Sequence, residues 1–159
     1  MGMAKRYPAY NKKCGQALAP QTVNNAQVDG SDITEPWLIG RLIWLILNLP
    51  TILAATQLHF YVYGKKRSDG TYARIKDVNG NDLEIAQAKL ATGGAGSAAA
   101  LFAGLDLSRF DSTTYSAIRI SVKNDNATAQ VIGGVTYEIG DITALPSGQV
   151  DELIDLQAA

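Results

Sequence analysis

Two stretches of this chain alternate between apolar and polar residues with a period of two, and nothing else in it constrains the fold as strongly. In Gln57–Tyr63, Leu58, Phe60 and Val62 share one face, while His59, Tyr61 and Tyr63 share the other. In Thr114–Lys123, Ile118, Ile120 and Val122 alternate with Arg119, Ser121 and Lys123. Successive side chains of a strand point to opposite faces, so each stretch reads as a β-strand with one face in a core. Turn chemistry separates the strand-like stretches: Lys65–Gly70 ends in Asp-Gly, Asn79-Gly80-Asn81-Asp82 leads into Leu83–Ala88, and Asn124-Asp125-Asn126 follows the second alternating run. Short strands punctuated in this way predict an all-β sandwich or barrel. Gln57–Val78 reads as one hairpin around Asp69-Gly70. Thr114–Lys123 with Thr128–Ile139 reads as a second, with Gly133-Gly134 marking a bulge or a close backbone approach.

The run Leu42–Leu47 is apolar without a break, but Gly40, Arg41, Asn48 and Pro50 interrupt its surroundings. A membrane-spanning helix needs about 20 apolar residues. The run reads instead as a strand buried on both faces, the second face meeting another subunit. The expected core is Leu42, Trp44, Ile46, Leu58, Phe60, Val62 and Ile75, joined by Ile118, Ile120, Val122, Val131, Val135, Tyr137 and Ile139. Thr92–Ala103, rich in small residues, reads as a loop followed by a turn or two of helix.

Outside that domain the pattern changes. Met1–Ser31 shows no period of 2 or 3.6 and is broken by Pro8 and Pro20, so it reads as an extended N-terminal arm. Residues 32–140 form the expected sandwich, and 141–159 a short acidic C-terminal tail, helical in spacing over Gln149–Leu156. A length of 159 residues fits one domain with tails. The arm is basic through Lys5, Arg6, Lys12 and Lys13, while Asp141, Asp151, Glu152 and Asp155 make the tail acidic. No apolar core follows the basic start, so a secretory leader is not expected. A net charge of −1 argues against a general nucleic-acid binder, which must neutralise many phosphates.

One cysteine, Cys14, and one histidine, His59, leave no His/Cys zinc cluster, no internal disulfide and no Cys–His nucleophile with a spare base. Gly94-x-Gly96-x-x-Ala99 matches a dinucleotide-binding fingerprint, but it sits between β-hairpins and does not close the first strand of a βαβ unit, so a flexible loop explains it. Asp106, Arg109 and Asp111 read as a solvated loop, and an enzyme would need Asp106 or Asp111 as its acid or base. Asp77, Asn79, Asn81 and Asp82 hint at a calcium loop, but the spacing lacks the closing Glu, so a turn accounts for them. Lys65-Lys66-Arg67 reads as a solvated hairpin tip. Tyr61 and Tyr63, aromatic with polar tips, fit a partner-binding face; with Tyr72 they would also be the stacking platforms of a carbohydrate-binding module. No cofactor, metal or catalytic residue is expected.

The basic arm, the apolar strand, the Tyr61-Val62-Tyr63-Gly64 and Ser68-Asp69-Gly70-Thr71-Tyr72 hairpin, the Gly/Ala linker and the paired Ser116–Val122 and Val131–Ile139 strands together resemble the decoration (cement) proteins of tailed bacteriophages. That resemblance implies a jelly-roll-like β-sandwich on the outside of a virion capsid, made in the host cytoplasm, which forms homotrimers and bridges neighbouring copies of the major capsid protein. It implies no enzyme activity and carries over no active-site residue. In this reading Lys5, Arg6, Lys12 and Lys13 steer the arm to its partner, with Tyr7, Tyr10 and Leu18 as anchors. Leu42 and Trp44 lie in the contact between copies, and Tyr61 and Tyr63 meet a partner. A tail or baseplate protein with the same sandwich is the alternative within the virion.

Overall fold

The computed structural model describes residues 13–34, 38, 42–52, 58–77, 79–85, 97–107, 110–140 and 152–155, by backbone alone at 42, 44, 49–52, 97–102 and 152–155. Among them are thirteen strands and no helix: β1 (Lys13–Leu18), β2 (Gln21–Val23), β3 (Gln27–Asp29), β4 (Ile33–Thr34), β5 (Leu42–Ile52), β6 (Leu58–Lys66), β7 (Tyr72–Arg74), β8 (Glu84–Ile85), β9 (Ser97–Asp106), β10 (Tyr115–Asn124), β11 (Gln130–Ile132), β12 (Val135–Gly140) and β13 (Glu152–Asp155). No helix of the described residues is long and apolar enough to cross a membrane.

The strands form a five-stranded sheet, β1-β12-β5-β9-β13, and a six-stranded sheet, β3-β10-β6-β7, with β4 beside β10 and β8 beside β6. A two-stranded ribbon pairs β2 with β11. Among the described strands only β13, lying along β9, is parallel to its neighbour. The chain crosses repeatedly between the two large sheets, with β6, β7 and β8 following one another in the six-stranded one. When β3/β4 and β7/β8 are each counted as one interrupted strand, the eight successive strands order as 1-8-3-6 in one sheet and 2-7-4-5 in the other, with β13 added at an edge.

The alternation seen in the sequence decides which face turns inward. Leu58, Phe60 and Val62 of β6, Ile118, Ile120 and Val122 of β10, and Ile85 of β8 meet Ile43, Leu45 and Leu47 of β5 and Val135 and Ile139 of β12 in one apolar cluster. Both sheets therefore share a single core, and the fold is an all-β sandwich. Burying each large side chain contributes about 1.5–3 kcal/mol. The predicted Gln57–Val78 hairpin is present: β6 and β7 pair antiparallel. Its turn closes through Gly70, at φ 71°, while Asp69 accepts hydrogen bonds from the Thr71 amide and hydroxyl.

Several expectations are corrected. The N-terminal segment is no free arm from Lys13 onward. β1 pairs with β12 from Lys13 opposite Ile139 to Leu18 opposite Val135, and Ala17, Leu18 and Val23 join the core. Strands this short carry too few residues for alternation to show, and their pairing runs through backbone groups that any sequence supplies. Leu18 is 2% exposed and so serves its own core, not a partner. Lys5, Arg6, Tyr7, Tyr10 and Lys12 lie outside the described residues.

The second predicted hairpin does not form. β10 pairs with β3, β4 and β6, whereas β12 pairs with β1 and β5 in the other sheet. Between them the chain changes sheets at Gly133-Gly134, and Gly134 adopts φ 87° where a Cβ would stand 2.6 Å from the Leu18 carbonyl oxygen. The inward phase shifts there too: Ile132 and Val135 are both buried, and Val131, expected in the core, is 50% exposed. In β5 the inward set is Ile43, Leu45 and Leu47; by register Leu42, Trp44 and Ile46 belong to the opposite face. Tyr137 packs at the margin of the core. Ser97–Ala103 is strand and not helix, and so is Glu152–Asp155 of the tail.

Candidate functional site: the outer face of the six-stranded sheet

The residues that alternate with the core positions of β6 and β10 make the other face of this sheet, and register aligns them in rows. Arg119, Tyr63 and Arg74 form one row across β10, β6 and β7. Asp29, Ser121, Tyr61 and Glu84 form the next, across β3, β10, β6 and β8. Gln27, Lys123 and His59 follow on one side, and Thr34, Ala117, Lys65 and Tyr72 on the other.

Rings and guanidinium groups interleave across these rows. The Arg119 guanidinium carbon lies 3.5 Å from the Tyr72 ring centroid and 5.9 Å from that of Tyr63. The Arg74 guanidinium carbon lies 3.8 Å from the Tyr61 centroid. Cross-strand and diagonal neighbours of a sheet are within reach of such long side chains, and a cation over an aromatic face is attracted by the ring's quadrupole.

Carboxylates bind the rows together. Asp29 accepts hydrogen bonds from Arg119 Nη2 at 3.0 Å, Ser121 Oγ at 2.8 Å and Gln27 Nε2 at 3.0 Å. Partial burial pushes its carboxyl up, but the bonds from Gln27 and Ser121 and the charge of Arg119 outweigh this and hold it below the usual range. Asp32 accepts from Tyr72 Oη at 2.7 Å and from Lys65 Nζ at 3.2 Å, and this raises the Lys65 ammonium above its ordinary value. The two ring nitrogens of His59 face Glu84 and Asp125, and its ring stacks beside Tyr61 at 5.9 Å between centroids. Burial and the nearby Glu84 carboxylate push the Tyr61 phenol up.

Of the partner-binding residues expected from sequence, Tyr61 and Tyr63 come together here. Lys13, Leu42 and Trp44 belong to the five-stranded sheet. Arg74, Arg119, Asp29 and Ser121 were missed as members of the site. The out-of-phase positions of β10 were visible in the sequence, but which strand would lie beside them was not.

The other candidates resolve into local structure. Asp77 Oδ1 accepts from the Asn79 and Asn81 amides, and Asp111 Oδ1 from the Thr113 amide and hydroxyl and the Thr114 amide, so both carboxylates shape turns. Those bonds hold both below the usual carboxylate range, against the upward push of burial. No three His, Cys, Asp or Glu side chains converge as metal ligands among the described residues. Gly94, Gly96 and Arg109 lie outside them.

No protein-family model, curated protein or solved structure matches this chain. The functional reading therefore rests on its own residues.

Proposed function

We propose that this chain is a structural virion protein, a decoration protein that binds the outside of a bacteriophage capsid as a homo-oligomer and bridges copies of the major capsid protein without catalysing a reaction. The observation that carries this reading is the apolar surplus of β5. Ile43, Leu45 and Leu47 already fill their own core. The register assigns Leu42, Trp44 and Ile46 to the far face, where Ile46 stands opposite Phe102 of β9. Apolar positions beyond what one core uses favour association with further protein.

The strand orders 1-8-3-6 and 2-7-4-5 support reading the sandwich as a jelly roll, an architecture that recurs in viral coats. Architecture alone does not specify function, so the reading needs a direct test. The test is co-sedimentation of the purified chain with capsids, alongside sedimentation velocity of the chain alone. A trimer that co-sediments with particles, and a Trp44→Lys variant that stays folded but runs as a monomer and releases the particle, is the expected result. A wild-type chain that is monomeric and leaves particles unbound would overturn the proposal.

A further inference from the structure

The outer face of the six-stranded sheet holds two guanidinium groups, each stacked on a tyrosine ring and each with one carboxylate neighbour among the described residues. Arg119 and Arg74 flank Tyr63 in one row, two strand spacings apart, which puts their Cα atoms about 10 Å from each other. Contact with the Tyr72 and Tyr61 rings holds each group in place. The Nε atom of each is buried with no hydrogen-bond partner among the described residues. Arg119 donates one bond from Nη2 to Asp29, and Arg74 has an ion pair with Asp82 at 3.6 Å, beyond hydrogen-bond reach. A guanidinium carries five N–H donors. The Arg74 and Arg119 side chains are 28% and 19% exposed, so both reach the solvent side of the sheet.

We infer that this row is a binding site for the carboxylate groups of an acidic polysaccharide. A guanidinium fork matches a carboxylate with two parallel charge-assisted bonds, and groups already held by ring contacts lose little freedom on binding. The surroundings favour a sugar over a protein. The rows around Arg119 and Arg74 hold Tyr, His, Lys, Asp, Glu, Ser, Thr and Gln, with Ala117 their one apolar member, whereas a protein interface is built around an apolar centre. Asp29 and Gln27, both exposed, offer polar atoms that sugar hydroxyls pair with.

The rings favour an acidic sugar over a neutral one. A neutral sugar stacks on an open aromatic face, and here a guanidinium lies over a face of Tyr61 and a face of Tyr72. The site is independent of the virion reading and holds wherever the chain is located.

The test is calorimetric titration of the full chain with polygalacturonate, with dextran as the neutral polymer and poly-glutamate as the acidic peptide. Polygalacturonate is expected to bind, more weakly as salt rises, and dextran not to bind. Arg74→Gln and Arg119→Gln are each expected to weaken binding by about tenfold or more. Lys66→Gln, the same charge change off the row, should stay within about twofold. Because Arg119 also holds Asp29, circular dichroism accompanies each variant, and Arg119→Lys, which keeps the charge but loses the planar fork, must still weaken binding. Equal binding of dextran, tighter binding of poly-glutamate, no binding of polygalacturonate, or wild-type affinity in the arginine variants would each overturn the inference.

Discussion

Tyr137 stands directly across from Gly15 on the neighbouring strand, with its hydroxyl 2.6 Å from where a Cβ on that glycine would be. The ring fills the space that any other residue at position 15 would need. Gly15→Ala must displace it, at a cost of about 1–3 kcal/mol, as overpacking does elsewhere. Equilibrium urea unfolding measures this. In a Tyr137→Ala background the same substitution should cost much less, and an unchanged cost would show that the ring is not the obstacle.

Gly30 meets a stiffer constraint, because a Cβ there would lie 2.1 Å from the Ala17 carbonyl oxygen and 2.5 Å from that of Ile120. Those two carbonyls belong to different sheets, and the amides of Ser31 and Gly30 donate to them at 3.0 and 2.9 Å. No rotamer change relieves a clash with backbone. Gly30→Ala is therefore expected to cost about 3 kcal/mol or more, and more than Gly15→Ala in the same unfolding assay.

Asn124 is buried, with Nδ2 donating to the carbonyls of Val23 at 2.9 Å and Thr128 at 3.0 Å, and Oδ1 accepting from the Asn126 amide at 2.9 Å. It ties the end of β10 to β2 and to the turn that leads into β11. Asn124→Ala strands these groups, for a loss of about 2–3 kcal/mol. Hydrogen exchange at the Asn126 amide should quicken by more than global unfolding explains; exchange that tracks global stability alone would mean the turn holds without it.

Asp29 gives the acid side of the stability profile a specific source. Its folded carboxyl lies below the ordinary 3.8, so the unfolded chain takes up the proton first. The stability it contributes is complete above the ordinary value and disappears as pH falls through the lower folded one. The carboxylate is 43% exposed, which keeps the contribution below about 1 kcal/mol. Asp29→Asn should lower the urea midpoint at neutral pH, and the gap to wild type should close as pH falls below about 4. A gap that stays constant with pH would assign the effect to packing.

The all-β class was legible in the sequence because it follows from a local rule. A strand's side chains alternate, so Leu58, Phe60 and Val62 against His59, Tyr61 and Tyr63 declare both strand and facing without reference to the rest of the chain. The Asp69-Gly70 turn was legible for the same reason, since its geometry depends on the residues within it. The candidate site was half legible: Tyr61, Tyr63 and Tyr72 were visible as aromatic positions, but not the arginines over them.

Only the tertiary structure decided which strands lie side by side, because backbone pairing uses groups that every residue carries. Nothing local says that β10 pairs with β6 and not with the β12 segment that follows it, or that Lys13–Leu18 completes the five-stranded sheet. In the Leu42–Leu47 run of β5 every position is apolar, so alternation is silent, and the neighbouring strands alone choose Ile43, Leu45 and Leu47 for the core. The Arg119, Tyr63 and Arg74 row is the same kind of product: register brings Arg119, far along the chain, beside the two residues that the β6–β7 hairpin already pairs, with a chemistry none of them has alone.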